Sequence, residues 1–142
     1  MKTLILMRHA HAAQGDDDFV RPLTERGQKQ AEVVGADLRE LGLLPDCVLC
    51  SSALRARRTA EIVAALLSFA GEIAKRDELY DASMMDYFQA IQATAPTAST
   101  LLLVGHNPSV SELLMAVHQR PVELPPAGYD IVRRPLWTDF TP

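Results

Sequence analysis

Thr3-Leu-Ile-Leu-Met-Arg-His9 and Thr100-Leu-Leu-Leu-Val-Gly-His106 share one shape: an apolar run of strand length whose short end closes on histidine. Such a run predicts a strand buried on both faces, as in a parallel sheet, rather than a strand with one wet face. After the first run, Thr24 is placed to cap a helix. Its apolar positions Ala31, Val34, Leu38 and Leu41 recur at helical spacing, and Gly42 stops it. Asp46 to Ser51 predicts a second strand. Ser51 or Ser52 is placed to cap a second helix that carries Thr59, Ile62, Val63, Leu66 and Leu67 on one face. Ser83 followed by Asp86 predicts a capping box for a third helix through Tyr87, Phe88 and Ile91, ending before Ala95-Pro96. After the second quoted run, Asn107 is placed as a cap and Pro108 in the first turn of a fourth helix, with Val110, Leu113, Leu114 and Val117 inward. Strand alternating with helix predicts an α/β fold, a three-layer α/β/α arrangement around a mostly parallel sheet.

Residues 1–142 read as one domain, without a linker or low-complexity tract. The chain is too short for a TIM barrel. Its 48% hydrophobic and 23% charged residues suit a packed core and exclude a disordered tail or a stapled mini-protein. Five of the nine prolines fall at 121, 125, 126, 135 and 142, and a last strand is expected from Gly128 to Arg133.

The formal net charge of −4 argues against a general nucleic-acid or anionic-membrane surface. The charges are unevenly placed: residues 1–71 carry nine basic and nine acidic side chains, residues 72–142 five and nine, so anion chemistry is expected in the first half. Eleven of the 14 cations are arginine, whose planar fork suits bidentate recognition of an oxyanion. No apolar run approaches the roughly 20 residues that span a bilayer. The N-terminal run is too short for a signal-peptide core, and a cytoplasmic location is expected. Cys47 and Cys50 have redox C-x-x-C spacing, yet Val48 and Leu49 read as strand interior. Positions three apart on a strand face opposite sides, so the thiols are expected to diverge and be structural.

In an open parallel sheet, ligands bind outside the carboxyl ends of the strands, where His9 and His106 are expected to face one crevice. Arg8 adjoins His9, Arg55 follows the second strand just inside the second helix, and Arg21 lies in the loop leading to the first helix. Two histidines and three arginines converging there describe a site for a doubly charged phosphoryl group, with helix N-termini adding favourable partial charge. Arg57, Arg58, Arg133 and Arg134 read as solvated surface residues.

Arg8-His9 after a first strand, Arg21-Pro22-Leu23-Thr24-Glu25-Arg26-Gly27, Ser51-Ser52-Ala53-Leu54-Arg55-Ala56 and Val104-Gly105-His106-Asn107-Pro108 together resemble the histidine phosphatase superfamily, with its phosphoglycerate-mutase-like fold. The short length, with only a small cap, is similar to the SixA-type phosphohistidine phosphatase branch. The resemblance runs in order from residue 3 to about residue 118. Beyond residue 120 the chain departs from the family pattern, which has a small, apolar strand where this sequence has the Pro-rich segment ending in Trp137 and Phe140. The resemblance implies that His9 is the nucleophile, forming a phosphohistidine that water hydrolyses. It implies that Arg8, Arg55 and His106 bind the equatorial oxygens, with Arg21 as a fourth contact and Asn107 among the substrate-binding groups. Glu78, in Asp77-Glu78-Leu79-Tyr80, would protonate the leaving group, with Asp81 as its rival. No metal or cofactor is implied. The expected substrate is a phosphorylated protein carrying phosphohistidine, or a small phosphorylated molecule.

Three other readings compete. His9-Ala-His11 is the H-x-H pair of some metal-dependent hydrolases but lacks the further ligands such a site needs. Cys50 and Arg55 are separated by four residues where cysteine-dependent phosphatases have five. A phosphoprotein-binding module that has lost catalysis would need the oxyanion site without the nucleophile, whereas His9, Arg8, Arg55 and His106 are all in place.

Overall fold

In a computed structural model that describes residues 1–142, the two quoted runs become neighbouring strands. The five strands are β1 (Lys2–Arg8), β2 (Cys47–Ser51), β3 (Ala74–Arg76), β4 (Thr100–Gly105) and β5 (Tyr129–Arg134), in sheet order β3-β2-β4-β1-β5. The first four run parallel, and β5 is antiparallel to β1. Four helices pack on this sheet: α1 (Glu25–Glu40), α2 (Leu54–Leu66), α3 (Met84–Gln92) and α4 (Ser109–His118).

Strand alternation divides the apolar runs between two cores. Leu4, Leu6, Leu49, Leu101 and Leu103 point to the face covered by α3, α4 and a 3₁₀ turn at Trp137–Asp139. Ile5, Met7, Val48, Cys50, Leu102 and Val104 point to the face covered by α1 and α2. Leu4 to Met7 and Leu101 to Val104 are fully buried, which is why their sequence is apolar without a break. Cys47 packs toward the first core and Cys50 lies in the second, so the two thiols diverge across the sheet and remain free.

The expected caps are only partly realised. Thr24 accepts a hydrogen bond from the Gly27 N–H at the start of α1, and Ser83 with Asp86 forms the capping box of α3. Neither Ser51 nor Ser52 caps α2: its N-cap is Ala53, without a side-chain hydrogen bond, because β2 continues through Ser51. Asn107 does not cap α4 either, since Pro108 intervenes and the Asn107 amide turns toward Ser111 and Leu124. The last strand is displaced by one residue from the expected span. Past it, Trp137 and Phe140 stack with centroids 5.4 Å apart and complete the first core.

Pairing of β1 with β4 sets Arg8 opposite Gly105, so His9 and His106 emerge side by side at the carboxyl edge. The His9 N–H donates to the Gly105 carbonyl at 2.9 Å and fixes that alignment. Two glycines permit the close approaches around it. A Cβ at Gly105 would lie 2.4 Å from the Tyr87 hydroxyl oxygen, and one at Gly27 would lie 2.0 Å from the His11 carbonyl oxygen. Only short segments cover this edge: the loop from β1 to α1, with a 3₁₀ turn at Asp18–Val20, and the segment around a second 3₁₀ turn at Asp77–Leu79.

Candidate active site

A cavity of about 310 Å³ opens at that edge, lined by Arg8, His9, Asp18, Arg21, Arg55, Tyr80, Asp81, His106 and Asn107. A wider groove of about 810 Å³ between α1 and Pro125–Gly128 contains no histidine, and its charged residues Glu25, Arg26 and Lys29 are of mixed sign. The convergence of titratable groups is therefore at the smaller cavity, on the switch between strands that parallel α/β sheets offer to ligands.

His9 follows β1 directly. Its Nδ1 lies 2.8 Å from the Ala10 carbonyl oxygen. A carbonyl only accepts, so Nδ1 carries the proton and Nε2 keeps its lone pair. Burial, with Arg55, Arg8 and Arg21 close by, lowers the His9 pKa to about 4, leaving the imidazole neutral and nucleophilic at neutral pH. His106 stands beside it, ring centroids 5.1 Å apart. Its pKa is lowered to about 3, first by burial and then by the neighbouring His9 ring, with which it would share a second positive charge, and by the Arg55 guanidinium. The His106 Nε2 lies 2.8 Å from Ser51 Oγ, and Ser51 Oγ also accepts from the Ala53 N–H. The serine proton is thus free to go to Nε2, which leaves the His106 donor on Nδ1. Tyr87 buttresses this end of β4: its hydroxyl accepts from the His106 N–H and donates to the Leu79 carbonyl.

The cations come from three elements. Arg8 ends β1 and donates from Nη1 to the Leu124 carbonyl, while its buried Nε has no partner. Burial lowers its pKa, opposed by the nearby Glu123. Arg55, in the first turn of α2, is 7% exposed. Its Nη1 donates to the Asp18 carbonyl at 2.7 Å and its Nη2 to Asp18 Oδ2 at 3.1 Å. Arg21 donates from Nε to the Ala13 carbonyl and from Nη1 to Asp18 Oδ1 at 2.9 Å. Asn107 lines the cavity, but its oxygen accepts from Ser111 Oγ and its nitrogen donates to the Leu124 carbonyl, so one N–H remains for a ligand. The Leu124 carbonyl in the Pro-rich segment thus accepts from both Arg8 and Asn107 and ties these two lining residues together.

Of the residues singled out in the sequence, Arg8, His9, Arg21, Arg55, His106, Asn107 and Asp81 come together here, and Glu78 does not. Glu78 is exposed on the 3₁₀ turn, where Leu79 takes the inward position and is fully buried. The chain then turns so that Tyr80 and Asp81 reach the cavity, Asp81 with φ of 53°. Asp18 and Tyr80 were not singled out. Asp18 sits in the run Asp16-Asp17-Asp18, which has the look of a solvated turn, and only its spacing of three from Arg21 hints at a pairing. The rival chemistries find no geometry. His11 bonds through Nδ1 to Thr24 Oγ1 rather than facing His9's cavity, and no three His, Cys, Asp or Glu side chains are grouped as a metal set. Cys50 is buried in the core, and burial pushes its thiol up to about 11.

Comparison with known proteins decides the family. The sequence model of the Histidine phosphatase superfamily (branch 1) matches residues 4–98. The chain belongs to that superfamily. The uncharacterized protein Rv1276c of Mycobacterium tuberculosis is 34% identical over 150 residues, covering 96% of this chain and 92% of that protein. The crystal structure of a candidate phosphohistidine phosphatase, SixA of Agrobacterium tumefaciens, superposes with a TM-score of 0.85 at 29% identity, covering 95% of this chain and 93% of the other. The protein histidine phosphatase SixA complexed with tungstate superposes with a TM-score of 0.84 at 25% identity, covering 92% and 87%. The fold is therefore the SixA and phosphoglycerate-mutase-like one.

Proposed function

We propose that this protein is a phosphatase acting through a phosphohistidine on His9, and that its substrate is phosphohistidine carried by a protein. One observation carries the reading: a neutral imidazole, its proton held on Nδ1 by the Ala10 carbonyl, stands among three guanidinium groups in one cavity. A neutral imidazole with a free Nε2 beside three guanidiniums suits an in-line attack on a phosphoryl dianion that the cations hold.

In this reading Nε2 of His9 attacks phosphorus, a nitrogen–phosphorus bond forms, and the bond to the leaving nitrogen or oxygen breaks. Arg8, Arg21, Arg55 and the His106 donor hold the equatorial oxygens, with the N-termini of α2 and α4 adding partial positive charge. Asn107 adds its remaining N–H. Water then attacks the phosphohistidine, releasing inorganic phosphate and restoring the His9 lone pair. Departing imidazole takes its proton from solvent or from Asp81, the cavity carboxyl without a hydrogen-bond partner of its own. Asp18 is poorly suited to that task because the Tyr80 hydroxyl and the Arg21 and Arg55 guanidiniums hold its carboxyl far below the usual range. The nucleophile and the groups that hold the phosphoryl oxygens are all side chains of this protein, and the reading assigns no step to a metal or cofactor.

The identity of the SixA structures supports a protein substrate, and the open edge with short covering segments fits a phosphorylated side chain on a folded partner. The test is rapid quench into alkaline detergent, with a ³²P-labelled phosphohistidine protein beside a panel of small phosphate esters. Wild type should form an acid-labile, base-stable phosphoenzyme, and His9→Ala should form none while retaining its fold. Turnover confined to the small esters would replace the substrate, and binding of phosphoprotein without turnover would leave a binding module.

A further inference from the structure

Resting on the phosphatase reading, the geometry points to a positioning residue outside the group that touches phosphate: we propose that Asp18 clamps Arg55 and Arg21 by one edge each, so that their remaining N–H groups are held toward the phosphoryl position.

Three observations carry it. Asp18 binds Arg55 twice, through its carbonyl and Oδ2, and binds Arg21 through Oδ1. Two guanidiniums from different elements, a loop and a helix, are thus joined on one residue. A guanidinium has five N–H donors. Arg55 spends two on Asp18; Arg21 spends one there and one on the Ala13 carbonyl, so three remain on each. Asp18 is gripped in turn by the Tyr80 hydroxyl at 2.6 Å, across the cavity on the segment after β3. Phe19 meets the Tyr80 ring edge-on with centroids 5.1 Å apart, and Tyr80 meets the His106 ring in the same way at 5.9 Å. The clamp therefore joins both covering segments to the pair of histidines.

A carboxylate among phosphate-binding arginines could instead act as a competing anion. The two roles differ in outcome. A competitor lowers affinity for any dianion, so removing its charge tightens binding and leaves turnover intact or faster. A clamp orders donors whose alignment matters most at the transition state, so its loss appears in kcat. Loss of repulsion and loss of ordering oppose one another in the bound ground state.

The experiment compares Asp18→Asn, Tyr80→Phe and Arg55→Lys, singly and with Asp18→Asn and Arg55→Lys combined. Each is assayed for steady-state turnover of an aryl phosphate and for tungstate affinity by calorimetry, with thermal unfolding as the fold control. For Asp18→Asn we expect kcat to fall by about 10- to 100-fold, while KM and tungstate affinity change less than about threefold. Tyr80→Phe should lose several-fold in kcat in the same pattern, and Asp18→Asn should cost less than about threefold when Arg55 is already lysine. Tighter tungstate binding with unchanged kcat would make Asp18 a competitor. Additive losses in the double variant, or a kcat loss matched by a fall in thermal stability that Tyr80→Phe does not share, would also overturn the clamp. An inactive wild type would remove the phosphatase reading and the clamp with it, whereas an active wild type with a fully active Asp18→Asn removes the clamp alone.

Discussion

Acidification from pH 7.5 to 5 should destabilise this protein through His9 and His106. In the folded chain their pKa values stand at about 4 and about 3, and in the unfolded chain both return to about 6.5. At pH 7.5 the rings are neutral in both states and contribute nothing. Below 6.5 the unfolded chain binds protons that the folded one refuses, so stability falls with pH until the folded values are reached. At pH 5 an unfolded imidazole is about 97% protonated and a folded His9 about a tenth, which by linkage costs about 2 kcal/mol for each ring and about 4 kcal/mol together. Most carboxylates stay ionised at pH 5, so this window belongs to the histidines. Urea melts followed by the fluorescence of Trp137, the single tryptophan and a buried one, would read the change. Substituting His9 by Gln should remove about half of it. Saturating inorganic phosphate should flatten it, because a bound phosphate anion favours the imidazolium. A change below about 1 kcal/mol between the two pH values would mean that neither ring is buried neutral, and the proposed nucleophilic role of His9 would lose its physical basis.

Three substitutions test the remaining geometry. Arg55→Lys should lose on the order of 10²-fold in kcat/KM, since one ammonium cannot reach both Asp18 oxygens and still span a phosphoryl edge; activity within about threefold of wild type would place Arg55 outside the site. Ser51→Ala should lower kcat by about tenfold and leave the fold stable, because His106 Nε2 loses its partner and the ring its fixed orientation; an unchanged kcat would refute that role. Asp81→Asn should slow alkyl phosphate esters far more than aryl phosphates or phosphohistidine, whose leaving groups need little protonation, while Glu78→Gln changes neither; equal losses on both substrate classes would deny Asp81 the acid's part.

The legible parts of this sequence were those in which one residue type answers to one physical demand. Four unbroken apolar positions, as in Leu4 to Met7, admit few environments other than a strand covered on both sides, and the Ser83–Asp86 pair closes a helix end by local bonds alone. His9 and His106 could be brought together because both follow strand runs of the same form, and parallel pairing of those runs aligns their ends. Where a side chain had two competing uses, local reading chose the nearer. Ser51 has the chemistry of a helix cap, yet its hydroxyl turns to a ring 55 positions away. Asn107 is likewise drawn from its own helix to the Leu124 backbone 17 positions on. Glu78 and Asp81 differ in no composition or charge pattern; the burial of Leu79 and the left-handed turn at Asp81 decide which carboxylate reaches the cavity. Asp18 was hidden for the opposite reason. Three consecutive aspartates look solvated, and only the arrival of Arg55 from α2 and Tyr80 from beyond β3 makes one of them the meeting point of the site. Such convergence depends on residues 37 and 62 positions apart, and no periodicity or capping rule reaches that far along a chain.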